Sequence, residues 1–276
     1  MRAVVYPGPE GSHSDAAAAA MFPAAERVSA SSFRGVAEAV ADAVGTHGVL
    51  PIESSLSGAV PETHDLLNEY PLSIVAEAVL PVTHALLATR KVPLADIRLI
   101  RSHPSAFDQC REFLHGLSHA RMIPAVTTAD AARETAEDGD PSAAAIASAE
   151  AASRYGLVSL ADDVGDAPAS TRFVAIAPYT RLDVDPERAR TAFTFVADHR
   201  PGALHAAIEP FALAGLDLAR LVSRPLSSTP WSYRFDAVVA GHPLDPTVRR
   251  AFEELRRATR SYRITGVYEG ADRHSA

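Results

Sequence analysis

The chain has 276 residues, 47% of them apolar, a net charge of −8 and a single cysteine. That length allows one large domain or two to three small ones, with enough apolar content for a sizeable core. An acidic balance without a basic block excludes nucleic acid as the main partner, and the lone Cys110 excludes an internal disulfide framework and a multi-cysteine metal site.

Residues 2–6 ("RAVVY") read as a short buried strand and "PGPEGSH" as a loop, after which Ser14 or Asp15 can cap the helix "AAAAAMF". "FRGVAEAVADAV" (33–44) has helical apolar spacing, and "GVLPI" is the next strand. This alternation predicts an α/β layer with a parallel sheet. "SIVAEAVLPVTHALLAT" is strand material crossing into a second unit. "IRLIRSH" is a strand, "PSAFDQCREFLHGL" a helix and "ARMIPAV" another strand. "TADAARETAEDG" and "SAEAASRYG" are helices, and "STRFVAIA" (170–177) is a late strand. Two α/β lobes with strands passing between them suggest a cleft protein, with the ligand beyond the carboxyl ends of the strands. The polar segment 178–188 is a linker. Beyond it "RTAFTFVAD", "PGALHAAIEPFALAG", "LDLARLVSRPL", "WSYRFDAVVAG", "DPTVRRAFEELRRAT" and "SYRITGVYEG" follow in the order βαββαβ, the ferredoxin-like unit. Neither a signal-peptide core nor a run of eighteen apolar residues occurs, so a soluble, cytoplasmic protein with no membrane partner is expected.

The stretch "VLPIESSLSGAV" (49–60) ends an apolar run on Glu53 and then offers hydroxyls and small residues. Glu53 is either a desolvated proton donor with a raised pKa or the anchor of an ion pair. Ser54, Ser55 and Gly58 present hydroxyl and backbone N–H groups suited to an anion. Gly11 and Ser12 do the same in the loop after the first strand, where an ordinary strand-to-helix turn is the alternative. His103 is a packing or helix-capping residue or a site residue, Cys110 a packed thiol, and His13, His64 and His84 lack metal-ligand spacing.

At these residues the chain resembles the prephenate dehydratases. "GPEGSHSDAAA" (8–18) is similar to the family's opening glycine loop, and "LPIESSLSGAV" to its Pro-Ile-Glu-Asn-Ser segment followed by glycine. "SHPSAFDQC" (102–110) and "STRF" (170–173) resemble its His-Pro and Thr-Arg-Phe segments. "RPGALH" (200–205) and "SRPL" (223–226) stand where the family has the phenylalanine-binding motifs of an ACT regulatory domain. The resemblance covers nearly the whole chain. It departs at Ser54, where asparagine is usual, at His13, where an aromatic is common, and at Val222, where a glutamate precedes Ser-Arg-Pro.

The resemblance implies a two-lobed, periplasmic-binding-protein-like catalytic domain over residues 1–180, with lobes at 1–80 with 165–180 and at 81–164, and an ACT domain over 190–270. It implies that prephenate loses carbon dioxide and water to give phenylpyruvate for L-phenylalanine biosynthesis, with no cofactor or metal because aromatisation drives the step. Thr171 is then the hydrogen-bond or proton donor to the leaving hydroxyl. Arg172 clamps a substrate carboxylate or, since alternation sends it to the face opposite Thr171, braces the site by pairing with Glu53. Phe173 is an apolar wall or core. Gly202, Ala203, Leu204, His205, Ser223, Arg224 and Pro225 are the implied contacts of L-phenylalanine as effector. A homodimer or homotetramer is implied as well. Two rival readings stay open: a non-aromatising prephenate decarboxylase, and a two-lobed ligand-sensing protein without catalysis.

Overall fold

The computed structural model describes residues 3–42, 46–226, 229 and 231–271. Arg2 of the expected first strand and the last two residues of the helix expected over 33–44 lie outside them. In chain order the first elements are β1 (Ala3–Pro7), α1 (His13–Met21), β2 (Glu26–Ala30), α2 (Phe33–Asp42), β3 (Thr46–Ser54), β4 (Gly58–Ala59), α3 (Pro61–Glu69) and β5 (Ser73–Val82). They are followed by β6 (Ala85–Ala88), β7 (Leu99–Ser102), α4 (Pro104–Gln109), α5 (Arg111–His115), β8 (Arg121–Pro124), α6 (Thr128–Asp138), β9 (Ala143–Ala147), α7 (Ala149–Tyr155), β10 (Val158–Ala161) and β11 (Ala169–Ala177). The remainder is β12 (Ala189–Val196), α8 (Ala203–Leu213), β13 (Leu218–Pro225), β14 (Tyr233–Ala240), α9 (Pro246–Ala258) and β15 (Ser261–Glu269).

The chain divides into two compact units. The first comprises Met1–Val36, Val49–Gly58 and Val79–Phe173; the second comprises Ala37–Gly48, Ala59–Ala78 and Val174–Ala276.

In the first unit one sheet runs β5-β11-β3-β1-β2 and another β10-β6-β9-β7-β8. The sheets are mixed rather than purely parallel: β1–β2, β7–β8 and β7–β9 are parallel, whereas β6–β9 and β10–β6 are antiparallel. Strand β2 has no buried residue, so no apolar pattern marks it in the sequence; its backbone pairing with β1 makes it a strand. The expected single helix over 104–117 is two, broken at Cys110 (φ −126°, ψ 30°). The Asp166 carboxylate accepts from the N–H groups of Arg111 (2.8 Å) and Glu112 (3.0 Å), capping α5 from a distant loop.

In the second unit the expected βαββαβ order is present as β12, α8, β13, β14, α9 and β15, with sheet order β13-β14-β12-β15-β5. In its core Phe193 of β12 stacks on Phe195 and on Phe211 of α8, and Phe252 of α9 meets Phe193 and Phe211 edge to face. Parallel contact between β15 and β5 centres on Gly266 opposite Ile74. A Cβ on Gly266 would stand 2.7 Å from Ile74 Cβ and 2.8 Å from Ile74 N, so only glycine lets the backbones approach.

Candidate active site

The loop between β1 and α1 is built by a reciprocal cap. Ser12, not Ser14 or Asp15, is the N-cap: its Oγ accepts from Asp15 N at 3.2 Å. Asp15 Oδ2 reaches back to accept from Gly11 N at 2.9 Å, and Asp15 Oδ1 accepts from Arg27 Nε at 2.7 Å. The spacing Ser12-x-x-Asp15 is the capping-box spacing, with the acid as the reciprocal partner. The Gly11 N–H, expected to meet a substrate carboxylate, therefore serves Asp15 instead. Gly11 has a φ of +81°, while a Cβ there would make ordinary contacts of 3.6 Å with Ala151 and Arg154. Conformation rather than space selects this glycine.

Strands β3 and β11 place the other expected residues side by side. Arg172 Nε donates to Glu53 Oε2 at 3.1 Å, with the two side chains 34% and 35% exposed. The bracing role is thus the one the geometry shows for Arg172, and Glu53 is an ion-pair partner beside solvent rather than an acid in a dry pocket. Ser55 clamps the strand before the threonine: its N–H donates to Ser170 O at 2.9 Å and its Oγ accepts from Ser170 N at 3.0 Å. Ser54 Oγ accepts from Leu56 N (3.3 Å) and Ser57 N (3.4 Å), so it organises the turn locally, and Gly58 is exposed at its end. Thr171 is half-buried, and among the described residues its hydroxyl has no hydrogen-bond partner. Phe173 is 2% exposed and lies in a core with Val4, Tyr6, Ala17, Ala18 and Val49, which makes it core rather than a substrate contact.

A histidine pair that sequence reasoning passed over lies in the same unit. His13 and His84 meet edge to face with centroids 6.2 Å apart, so His13 fills an aromatic slot as an aromatic ring. Burial, then the neighbouring His84, lowers the His13 pKa to about 4, so the ring is neutral at neutral pH. His84 Nε2 bonds Gln109 Oε1 at 2.8 Å. His103 is the N-cap of α4, accepting from Ser105 N at 3.1 Å. Cys110 is fully buried, and burial followed by the Asp166 charge pushes its pKa up to about 12, as expected of a packed thiol.

In the second unit a cavity of ≈ 370 Å³ opens beside the N-terminus of α8, lined by Pro201, Ala203, Leu204, Ser232, Tyr233 and Phe235 among others. Of the implied effector contacts, Ala203 and Leu204 line it, Gly202 is the N-cap of α8, and Ser223 pairs with cavity-lining Phe235 across β13–β14. His205 and Pro225 are exposed. Arg224 turns the other way: its Nε and Nη2 donate to Asp65 Oδ1 and Oδ2 at 3.2 and 2.6 Å. No motif signals this partnership, because Asp65 lies 159 residues earlier in the chain.

The two units make up a mixed α/β protein, with a carboxylate–guanidinium pair and, among the described residues, an unengaged threonine hydroxyl on neighbouring strands. The family model described as prephenate dehydratase matches residues 4–180. The prephenate dehydratase of Mycobacterium tuberculosis (strain ATCC 25177 / H37Ra) is 35% identical, covering 96% of this chain and 86% of the relative. Among solved structures, prephenate dehydratase from Arthrobacter aurescens in complex with L-Phe is 32% identical, covers 99% of this chain and 92% of that one, and has a TM-score of 0.89. GqqA, described as a novel type of quorum quenching acylase, is 34% identical, covers 98% and 99%, and has a TM-score of 0.88. The chain belongs to the prephenate dehydratase family.

Among the described residues no helix is long and apolar enough to cross a membrane.

Proposed function

We propose that the chain catalyses the decarboxylating dehydration of prephenate to phenylpyruvate in L-phenylalanine biosynthesis, in the cytoplasm, and that L-phenylalanine regulates it. The observation that carries this reading is the family match over 4–180, which contains Thr171 with its hydroxyl unengaged next to the Arg172–Glu53 pair. As the ring carboxylate leaves as carbon dioxide, its bonding electrons enter the ring and expel the hydroxyl, which needs a proton. Thr171 Oγ1 donates the hydrogen bond to that oxygen. A positioned donor contributes about 10²–10⁴-fold. Ser55 fixes the backbone at Ser170 and so aims Thr171, while Glu53 holds the Arg172 guanidinium oriented at a strand end where a substrate carboxylate can share it. Ser12, Ser54 and Gly58 complete the polar wall on this reading.

Residues 1–180 are the catalytic domain, with lobes over 1–80 with 165–180 and over 81–164, and residues 190–270 are an ACT domain assembling as a dimer or tetramer. The cavity at α8 takes L-phenylalanine: helix N–H groups meet the carboxylate, and Leu204, Pro201 and Phe235 surround the phenyl ring. The Arthrobacter aurescens relative, solved with L-Phe, supports this. The single tryptophan, Trp231, is 79% exposed two residues before Tyr233 of the lining, and a change in its emission on adding L-phenylalanine is the expected sign of occupancy.

Incubation with prephenate at neutral pH tests the activity, and phenylpyruvate is the expected product. A non-aromatic keto acid would make the protein a prephenate decarboxylase. Binding without turnover would make it a sensor. Hydrolysis of an acylated quorum signal in place of prephenate turnover would move it toward the activity for which GqqA is described.

A further inference from the structure

Strand β14 has the α8 cavity on one face and α3 on the other. Tyr233 and Phe235 line the cavity. The alternate residues Arg234 and Asp236 reach α3: Arg234 Nη2 donates to His64 O and to Asp65 Oδ1, both at 3.2 Å, and Asp236 Oδ2 lies 3.2 Å from His64 Nδ1. This is the two-residue alternation of a strand put to two uses.

Arg224 and Arg234 are direct partners across the β13–β14 pairing. Two guanidiniums so placed repel. The Asp65 carboxylate lies between them, bidentate to Arg224 and bonded to Arg234. The Arg234 side chain is only 6% exposed, so its charge depends on Asp65 and Asp236 rather than on water. A third arginine, Arg263 of β15, donates to Leu67 O at 2.6 Å, one of the end carbonyls of α3. Each of β13, β14 and β15 therefore supplies one arginine to a single helix. Val222 pairs with Asp236 across the same strands, where an acid would add a like charge. At its N-terminal end α3 is joined by Ala59 and Val60 to Gly58, the last residue of the segment that carries Glu53 and Ser55.

We propose that Asp65 is the residue through which an amino acid held in the α8 cavity acts on the 53–58 segment. The inference rests on the reading of that cavity as the L-phenylalanine site. Filling the cavity shifts β14 against β13 and changes the spacing of Arg224 and Arg234. Asp65 is bonded to both, so α3 follows, and with it the segment that α3 tethers. An effector that favours one spacing over the other thereby biases the site, which is the thermodynamic content of coupling.

Hydrogen–deuterium exchange of the full chain with and without millimolar L-phenylalanine tests this, alongside prephenate turnover. In the wild type, exchange is expected to change at 201–206 and 232–236 and also at 53–69. Asp65→Asn keeps an acceptor oxygen but loses the charge. It is expected to retain the first change, to lose about fivefold or more of the second, and to lose inhibition by phenylalanine while turnover without phenylalanine stays at the wild-type level. Should that variant fold poorly, Arg224→Gln carries the same exchange readout. Glu62→Gln, an exposed acid on the same helix, is expected to respond like the wild type. A full response at 53–69 in folded Asp65→Asn, or a response there equally reduced in Glu62→Gln, overturns the proposal. No change at 201–206 in the wild type would instead remove the effector reading on which it stands, and the coupling with it.

Discussion

Two carboxylate–guanidinium systems in this chain have the same chemistry and different surroundings. Glu53 and Arg172 meet at 3.1 Å with about a third of each side chain exposed. Arg234 meets Asp65 and Asp236 at 3.2 and 2.9 Å with 6% of its side chain exposed. Water competes for the first pair, so either partner can exchange to a substrate group at small cost. It hardly reaches Arg234 and Asp236 of the second, 6% and 15% exposed, where a lost partner leaves a desolvated charge, although Asp65 itself is 48% exposed. Burial, not pair geometry, separates an exchangeable site contact from a fixed strut.

The sharpest way to probe the exposed side is Thr171→Ala. Turnover of prephenate should fall about 10²–10⁴-fold with the thermal midpoint unchanged; a variant with wild-type turnover would remove Thr171 from the chemistry. On the buried side, Arg234→Ala should lower unfolding stability by about 3–5 kcal/mol, read by urea titration. The same side has a pH signature. Burial alone would raise the Asp236 pKa, but the hydrogen bonds and charges of His64 and Arg234 outweigh it and hold the carboxyl below its ordinary 3.8. A depressed acid stabilises the fold above its unfolded pKa, and that contribution disappears as pH falls through the folded value. Wild-type stability should therefore decline below about pH 4, and Asp236→Asn should flatten that limb. Gly266→Ala drives a Cβ into Ile74 and should cost about 1–3 kcal/mol, measured by calorimetry. The smallest stability effect belongs to Glu53→Gln, within about 1 kcal/mol, with turnover nonetheless reduced. Equal destabilisation by Glu53→Gln and Arg234→Ala would erase the contrast between the two systems.

Some of this was legible in advance. The βαββαβ order of the C-terminal third and helices α6 and α7 follow from periodicity and turn residues. His103 as a cap and Cys110 as a packed thiol were also readable. The Ser12 cap was within reach, since its partner Asp15 stands three positions on, but the alanine run drew the start of α1 too late. Strand β2 was not readable, because an exposed edge strand carries no apolar signal.

The sequence by itself determined most of the helices and buried strands, the family resemblance and the residue types available at the candidate site. All of these rest on interactions between neighbours along the chain or on whole motifs. Only the tertiary structure decided what each group is bonded to: Gly11 N–H to Asp15, Ser55 to Ser170, Arg172 to Glu53, and Arg224 and Arg234 to Asp65. Most of these partners come from strands or helices more than a hundred residues apart, so their burial, and with it their strength, exists only once the chain has folded.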